Sequence, residues 1–134
     1  MLAITSLIGY FTIRHIASII KKNFNTGDKN MDFNTFEQLF EPFCKTEGVD
    51  SGKARSYCLA IKYLAEYLEL PNLGNGNAYR ILDKEAEVKD RGCNFYQQLL
   101  RCWETQRRSA YLKKGFVRAA MPYFGRFAAD NNLL

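Results

Sequence analysis

Between Ala54 and Leu68 the apolar residues fall at Ala54, Tyr57, Cys58, Ile61, Leu64, Ala65 and Leu68. Steps of three and four keep side chains on one face of a 3.6-residue helix, whereas a strand needs steps of two. No strand template fits this run, so it reads as a helix, and a helix with one apolar stripe must bury that stripe against other elements. The same period recurs at Phe36, Leu39, Phe40 and Phe43, and at Tyr96, Leu99, Leu100 and Trp103. It returns over 109–130 with Leu112, Phe116, Ala119, Ala120, Tyr123 and Phe127. Apolar residues make up 47% of the 134, enough for one core. The pattern predicts an all-α, compact bundle of four main helices over residues 31–134.

Local signals set the expected boundaries. Asn34 followed by Glu37 fits a capping box, in which each side chain satisfies an orphan backbone N–H. Pro42 is expected to kink or end that helix, and Gly48 to close it. Asp50 or Ser51 caps the next helix and Pro71 stops it, with LGNGNA (73–78) as a turn-rich loop. A short polar helix capped by Asp83 ends at Gly92, and Asn94 with Gln97 starts the following one. Gly115 and Pro122 weaken the regularity of the last helix.

Residues 1–30 form an apolar leader, MLAITSLIGYFTIRHIASIIKK and a polar tail. It has the length of a membrane span, but Arg14 and His15 interrupt it, and a charge near the bilayer centre costs roughly 2.5–3.5 kcal/mol on insertion scales. Three readings stand: a mis-set start ahead of Met31, a membrane anchor, or a helix packed on the domain. No cleavage site of the A-x-A kind follows, and the first residues carry no positive charge, which argues against a signal peptide.

Catalytic devices are scarce. His15 is the one histidine, so a Ser-His or Cys-His pair is not expected in the domain. Neither G-x-x-x-x-G-K-[ST] nor G-x-G-x-x-G occurs, and GNG at 74–76 reads as a turn. Cys44, Cys58, Cys93 and Cys102 lack C-x-x-C spacing and read as free thiols, which suits a reducing cytoplasm. The expectation is a non-enzyme without metal or cofactor.

Charge is unevenly distributed. Residues 31–70 carry four bases against seven acids, whereas residues 101–134 carry seven bases against Glu104 and Asp130. Wound as a single helix at about 100° per residue, 107–127 puts Lys114, Arg107, Arg118 and Tyr111 at about 160°, 180°, 200° and 220° from Phe116, opposite the expected core. A run of charge is ordinarily a solvated face. This one is nearly single-signed and carries a tyrosine among its bases, which suits phosphate contact and stacking. Arg101, Arg108, Lys113 and Arg126 flank it, and Lys53 and Arg55 at the start of the second helix extend the expected surface, where helix N–H groups also favour phosphate.

SGKARSYCLAIKYLAEYL (51–68) resembles the S-x-x-T-x-x-x-Y-x-x-x-L-x-x-[LF] helix of the SAM-like core-binding domain of phage integrases and other tyrosine recombinases, with Tyr57 and Ile61 at its aromatic and aliphatic anchors. SAYLKKGFVRAAMPYFGRF (109–127) resembles the last helix of that domain, and is similar to helical N-terminal domains found ahead of HNH and related restriction endonucleases. There Ser109, Tyr111, Leu112, Lys113, Lys114, Gly115, Phe116, Ala119, Ala120, Met121, Phe124 and Phe127 match the signature. The resemblance covers about 32–129 and implies a SAM-like four-helix domain that packs against DNA. Pro42 and Pro122 depart from the smooth helices of the family, and no catalytic module follows Leu134, so cutting and strand transfer are not carried over.

The expected function is a small DNA-binding module gripping the phosphate backbone, cytoplasmic, with a separate nuclease or recombinase subunit as a possible partner. The alternative is a helical protein-interaction module that docks through Tyr63 and Tyr67 or through residues 1–30, the latter also being the one route to a membrane.

Overall fold

A computed structural model describes residues 30–134; the three readings of the leader fall on residues outside that range, save Asn30. Among the described residues there are seven helical segments and no strand: α1 (Phe33–Thr46), α2 (Ser51–Tyr67), α3 (Asn77–Leu82), α4 (Glu85–Lys89), α5 (Asn94–Thr105), α6 (Ser109–Lys113) and α7 (Phe116–Asp130). Four of these run 12 to 17 residues, and three are single turns of five or six.

Several helix starts differ from expectation. Asp32, not Asn34, caps α1: its carboxylate accepts the Thr35 N–H at 2.7 Å, which holds its pKa below the ordinary aspartate value. Asp50 caps α2 through the Lys53 N–H at 3.0 Å. Asp83 is a C-cap, ending α3 rather than starting α4. The Cys93 sulfur, not Asn94, takes the Tyr96 N–H at the head of α5. In each of the two corrected N-caps the acceptor sits one or two residues earlier than the sequence signal, because only a residue in extended conformation can turn its side chain back onto the first turn.

The four longer helices all end the same way. The N–H two residues past the C-cap bonds back to the carbonyl of the third-last helical residue: Val49 to Cys44, Leu70 to Ala65, Arg108 to Trp103 and Leu133 to Ala128. This closure needs a left-handed residue at the first position past the cap. Gly48 supplies it at φ 95°, but Glu69 (60°), Arg107 (60°) and Asn132 (57°) supply it elsewhere. Pro42 and Pro122 do not break their helices. Both are exposed, as are Gln38 and Arg118, whose carbonyls lose a donor there, so water can satisfy them.

α2 is the centre of the packing, lying between α1 and α7. From α1 come Phe36 and Phe40, stacked at 4.9 Å; from α7 come Phe124 and Phe127, set edge-on to them at 5.2–6.2 Å. Cys58, Ile61 and Leu64 of α2 are also fully buried. Such aromatic pairs contribute about 0.5–1.5 kcal/mol each beyond their buried area. α4 packs against α7, and α5 packs against α4 and α6, with Trp103 fully buried; Met31 is tied in by the Leu73 N–H to its carbonyl at 2.9 Å.

The main correction lies at the end of the chain. The stretch 109–130 is not one helix. Gly115 adopts φ 79°, a left-handed conformation that ends α6 and restarts the chain as α7. The restart rotates the buried face. Val117, Met121, Phe124 and Ala128 join Ala120 and Phe127 inside, while Phe116, Ala119 and Tyr123 are only half-buried.

Candidate functional site

Breaking the last helix dissolves the predicted stripe as a single helical face. Arg107 sits in the α5–α6 turn, Lys114 caps the end of α6, and Arg118 lies in the first turn of α7. Tyr111 is not an exposed tyrosine among bases. It is half-buried, edge-on to Tyr63 at 5.3 Å and tilted against Phe116 at 6.1 Å.

Three of the predicted contact residues are engaged with carboxylates across the fold. Arg55 reaches both Glu37 and Glu41 of α1 at 3.5 Å. Arg108 pairs with Glu66 at 3.1 Å and lies 3.9 Å over the Tyr63 ring, latching the α5–α6 turn onto α2. Arg126 pairs with Glu47 at 3.0 Å and covers Tyr123 at 4.8 Å, joining α7 to the end of α1. A half-exposed ion pair contributes about 0–1 kcal/mol, and the stacked rings add about 0.5–1 kcal/mol. Tyr63 and Tyr67, read as docking aromatics, are half-buried, Tyr67 being edge-on to Phe95 at 5.8 Å. Lys53 is exposed, but the backbone N–H it would add to a phosphate site is already taken by Asp50.

Arg101, Arg107, Lys114 and Arg118 are exposed and have no ion pair among the described residues. Lys113 pairs with Glu104 at 3.6 Å, with both side chains half in solvent.

Around Gly115 the fold builds a feature the sequence did not announce. Lys89 from the end of α4, Arg91 from the α4–α5 turn, Lys113 from α6 and Arg118 from α7 line one shallow cleft. Val88, Leu112, Tyr96 and Gly115 complete the lining, and no carboxylate lies among these residues. Arg91 is fixed by donating from Nη2 to the Lys113 carbonyl at 3.4 Å. The Arg118 guanidinium folds back over Gly115, so that a Cβ there would stand 2.7 Å from its Nη2. Gly115 therefore meets two demands at once: a left-handed backbone and room for a guanidinium across its Cα. Of the predicted site residues, Lys113 and Arg118 come together here. Lys89, Arg91 and Tyr96 were missed because residues 71–100 balance four bases against four acids and give no charge signal.

No group of three or more His, Cys, Asp or Glu among the described residues is placed to hold a metal ion. All four cysteines are free thiols. Cys44 and Cys58 are buried, and burial pushes both thiols up to about 12, so neither is a thiolate near neutral pH. No helix among the described residues is long and apolar enough to cross a membrane. Comparison with protein-family models, with curated proteins and with solved structures finds no match for this chain.

Proposed function

We propose that this chain is a small helical DNA-binding module that grips phosphates without catalysing a reaction of its own. One observation carries the reading: bases from four separate segments converge on a cleft whose lining includes no carboxylate. Helical packing does not require that arrangement. Glu85 and Glu104 offset Lys89 and Lys113 from outside the lining, but Arg91 and Arg118 have no carboxylate partner among the described residues, and a polyanion is what such a clustered positive field attracts. Lys114 stands next to this cleft in the chain, and Arg101 and Arg107, also without carboxylate partners among the described residues, add bases on α5 and in the α5–α6 turn.

The resemblance to the SAM-like domains of tyrosine recombinases and to the helical domains preceding restriction nucleases agrees with this role. It suggests a module of that type, working in the cytoplasm beside a separate catalytic subunit. The contacts are to phosphate rather than to base edges, so little sequence preference is expected.

The test is a titration of the chain against fluorescent random-sequence duplex DNA over a series of salt concentrations. Binding that weakens on a log–log slope of about −0.9 per neutralised phosphate supports the reading. Absence of binding at low salt leaves these bases as solvated surface. Of the surfaces that the protein-interaction alternative would use, Tyr63 and Tyr67 are half-buried against Tyr111 and Phe95, and residues 1–30 lie outside the described residues, save Asn30.

A further inference from the structure

We infer that the cleft around Gly115 seats a terminal phosphate, the dianionic monoester at the end of a nucleic-acid strand, with the Tyr96 phenol among its donors. This rests on the nucleic-acid reading above and sharpens it to one chemical group.

The first support is Tyr96. It is only 4% exposed, it lines the cleft, and its hydroxyl makes no hydrogen bond with any described residue. The ring is buried but the hydroxyl is not sealed from solvent, so it is left to water or to an acceptor that enters the cleft. The indole nitrogen of Trp103 is also without a partner, but Trp103 is fully buried and out of a ligand's reach.

Charge is the second support. Arg91 is held by the Lys113 carbonyl, and Arg118 is laid across Gly115, so two guanidinium groups are positioned before any ligand arrives. Lys89 and Lys113 face Glu85 at 3.5 Å and Glu104 at 3.6 Å, in pairs that are about half exposed and therefore readily exchanged for a stronger anion. A phosphate monoester carries about −1.5 to −2 at pH 7, against −1 for a diester, and gains correspondingly more from such a set.

The third support is size. The cleft has room for about one water molecule, and hence for one phosphate oxygen. An end phosphate presents three unesterified oxygens and only one strand to lead away. An internal diester presents only two and must lead strand away on both sides.

The experiment uses the full 134-residue chain and two duplexes of one sequence, labelled at the 3′ end, one with 5′-phosphates and one with 5′-hydroxyls. Fluorescence anisotropy at low salt is expected to give about tenfold tighter binding of the phosphorylated duplex, the size of one hydrogen bond to a charged group. Tyr96→Phe keeps the buried ring and is expected to lose that preference, as is Arg118→Gln, an exposed change that serves should Tyr96→Phe disturb the core. Equal binding of the two duplexes by the unaltered chain overturns the terminal-phosphate seat and leaves backbone binding standing. No binding of either overturns both. A preference that survives in Tyr96→Phe and Arg118→Gln with unchanged melting overturns the placement of the seat in this cleft. Inorganic phosphate that displaces the phosphorylated duplex with matching affinity assigns the cleft to a small free anion instead and overturns the strand-end part.

Discussion

On the α1–α2 face, Arg55 stands between Glu37 and Glu41, Lys62 meets Glu37 at 3.1 Å and Lys45 meets Glu41 at 3.5 Å. Around Gly115, Lys89, Arg91, Lys113 and Arg118 line a cleft whose walls hold no acid. The two regions have similar numbers of bases and similar helical scaffolds. They differ in how far the neighbouring elements supply acids. α1 turns carboxylates toward α2, so the field there cancels within a few ångströms, while at the cleft Glu85 and Glu104 meet Lys89 and Lys113 from outside the lining and Arg91 and Arg118 have no carboxylate partner among the described residues. Residues 30–134 hold fifteen Lys and Arg against thirteen Asp and Glu, so no overall excess marks the cleft. A positive site is made by segregation rather than by surplus, because screening leaves only charges within about 8–10 Å to count.

Four variants test that contrast. The largest effect is expected from Arg91→Glu with Arg118→Glu. This brings acids into the cleft and should weaken duplex binding about a hundredfold or more at low salt, with the thermal unfolding midpoint nearly unchanged, since neither side chain pairs with a carboxylate. Retained binding in that variant would place the contact surface elsewhere.

Next is the converse change. Glu37→Gln with Glu41→Gln strips the acids from the α1–α2 face and frees Lys45, Arg55 and Lys62. If pairing is what silences that face, duplex affinity rises about tenfold at low salt, while stability falls by about 1 kcal/mol from the lost pairs. No gain in affinity breaks the comparison.

Gly115→Ala comes third. A Cβ at φ 79° is strained, and it would meet the Arg118 guanidinium at 2.7 Å, so denaturant unfolding should show a loss of about 1–2 kcal/mol together with weaker binding. Gly92→Ala serves as the control, because its Cβ would meet only Asp90 Oδ1 at an ordinary 3.6 Å.

The smallest expected effect separates folding from binding. Arg107 holds a left-handed conformation that glycine adopts without strain. Arg107→Gly should therefore stabilise the chain by about 1 kcal/mol while making the salt dependence of binding shallower by about 0.9, one phosphate contact. Movement of both quantities in the same direction would mean that Arg107 serves the fold and not the site.

Much of the architecture was legible in the sequence. The stripes of α1, α2 and α5 hold Phe36, Phe40, Ile61, Leu64, Leu99 and Trp103, all fully buried. The last helix was misread because LKKGFV reads equally as a continuous helix, in which a glycine costs only about 1 kcal/mol. The left-handed turn at Gly115 resets the phase, so Met121 and Phe124 are buried while Phe116 and Tyr123, expected inside, sit at the margin. The candidate site was half legible. Lys113 and Arg118 stood out by charge, but Lys89, Arg91 and Tyr96 lay in a segment of balanced charge and ordinary helical spacing.

Spacing along the chain was enough to make the described residues helical, to fix which faces of the first helices are apolar, and to leave acids few after residue 100. Those properties follow from spacing along the chain, and a helix repeats within four residues. Which bases keep an acid was set by helix packing. Arg108 finds Glu66 across 42 positions and Arg126 finds Glu47 across 79, while Arg91 and Arg118 have no carboxylate partner among the described residues and share a cleft with Lys89 and Lys113, whose acids Glu85 and Glu104 lie outside its lining. Charge pairing depends on distance in space, and helix packing sets that distance between residues that no local repeat connects.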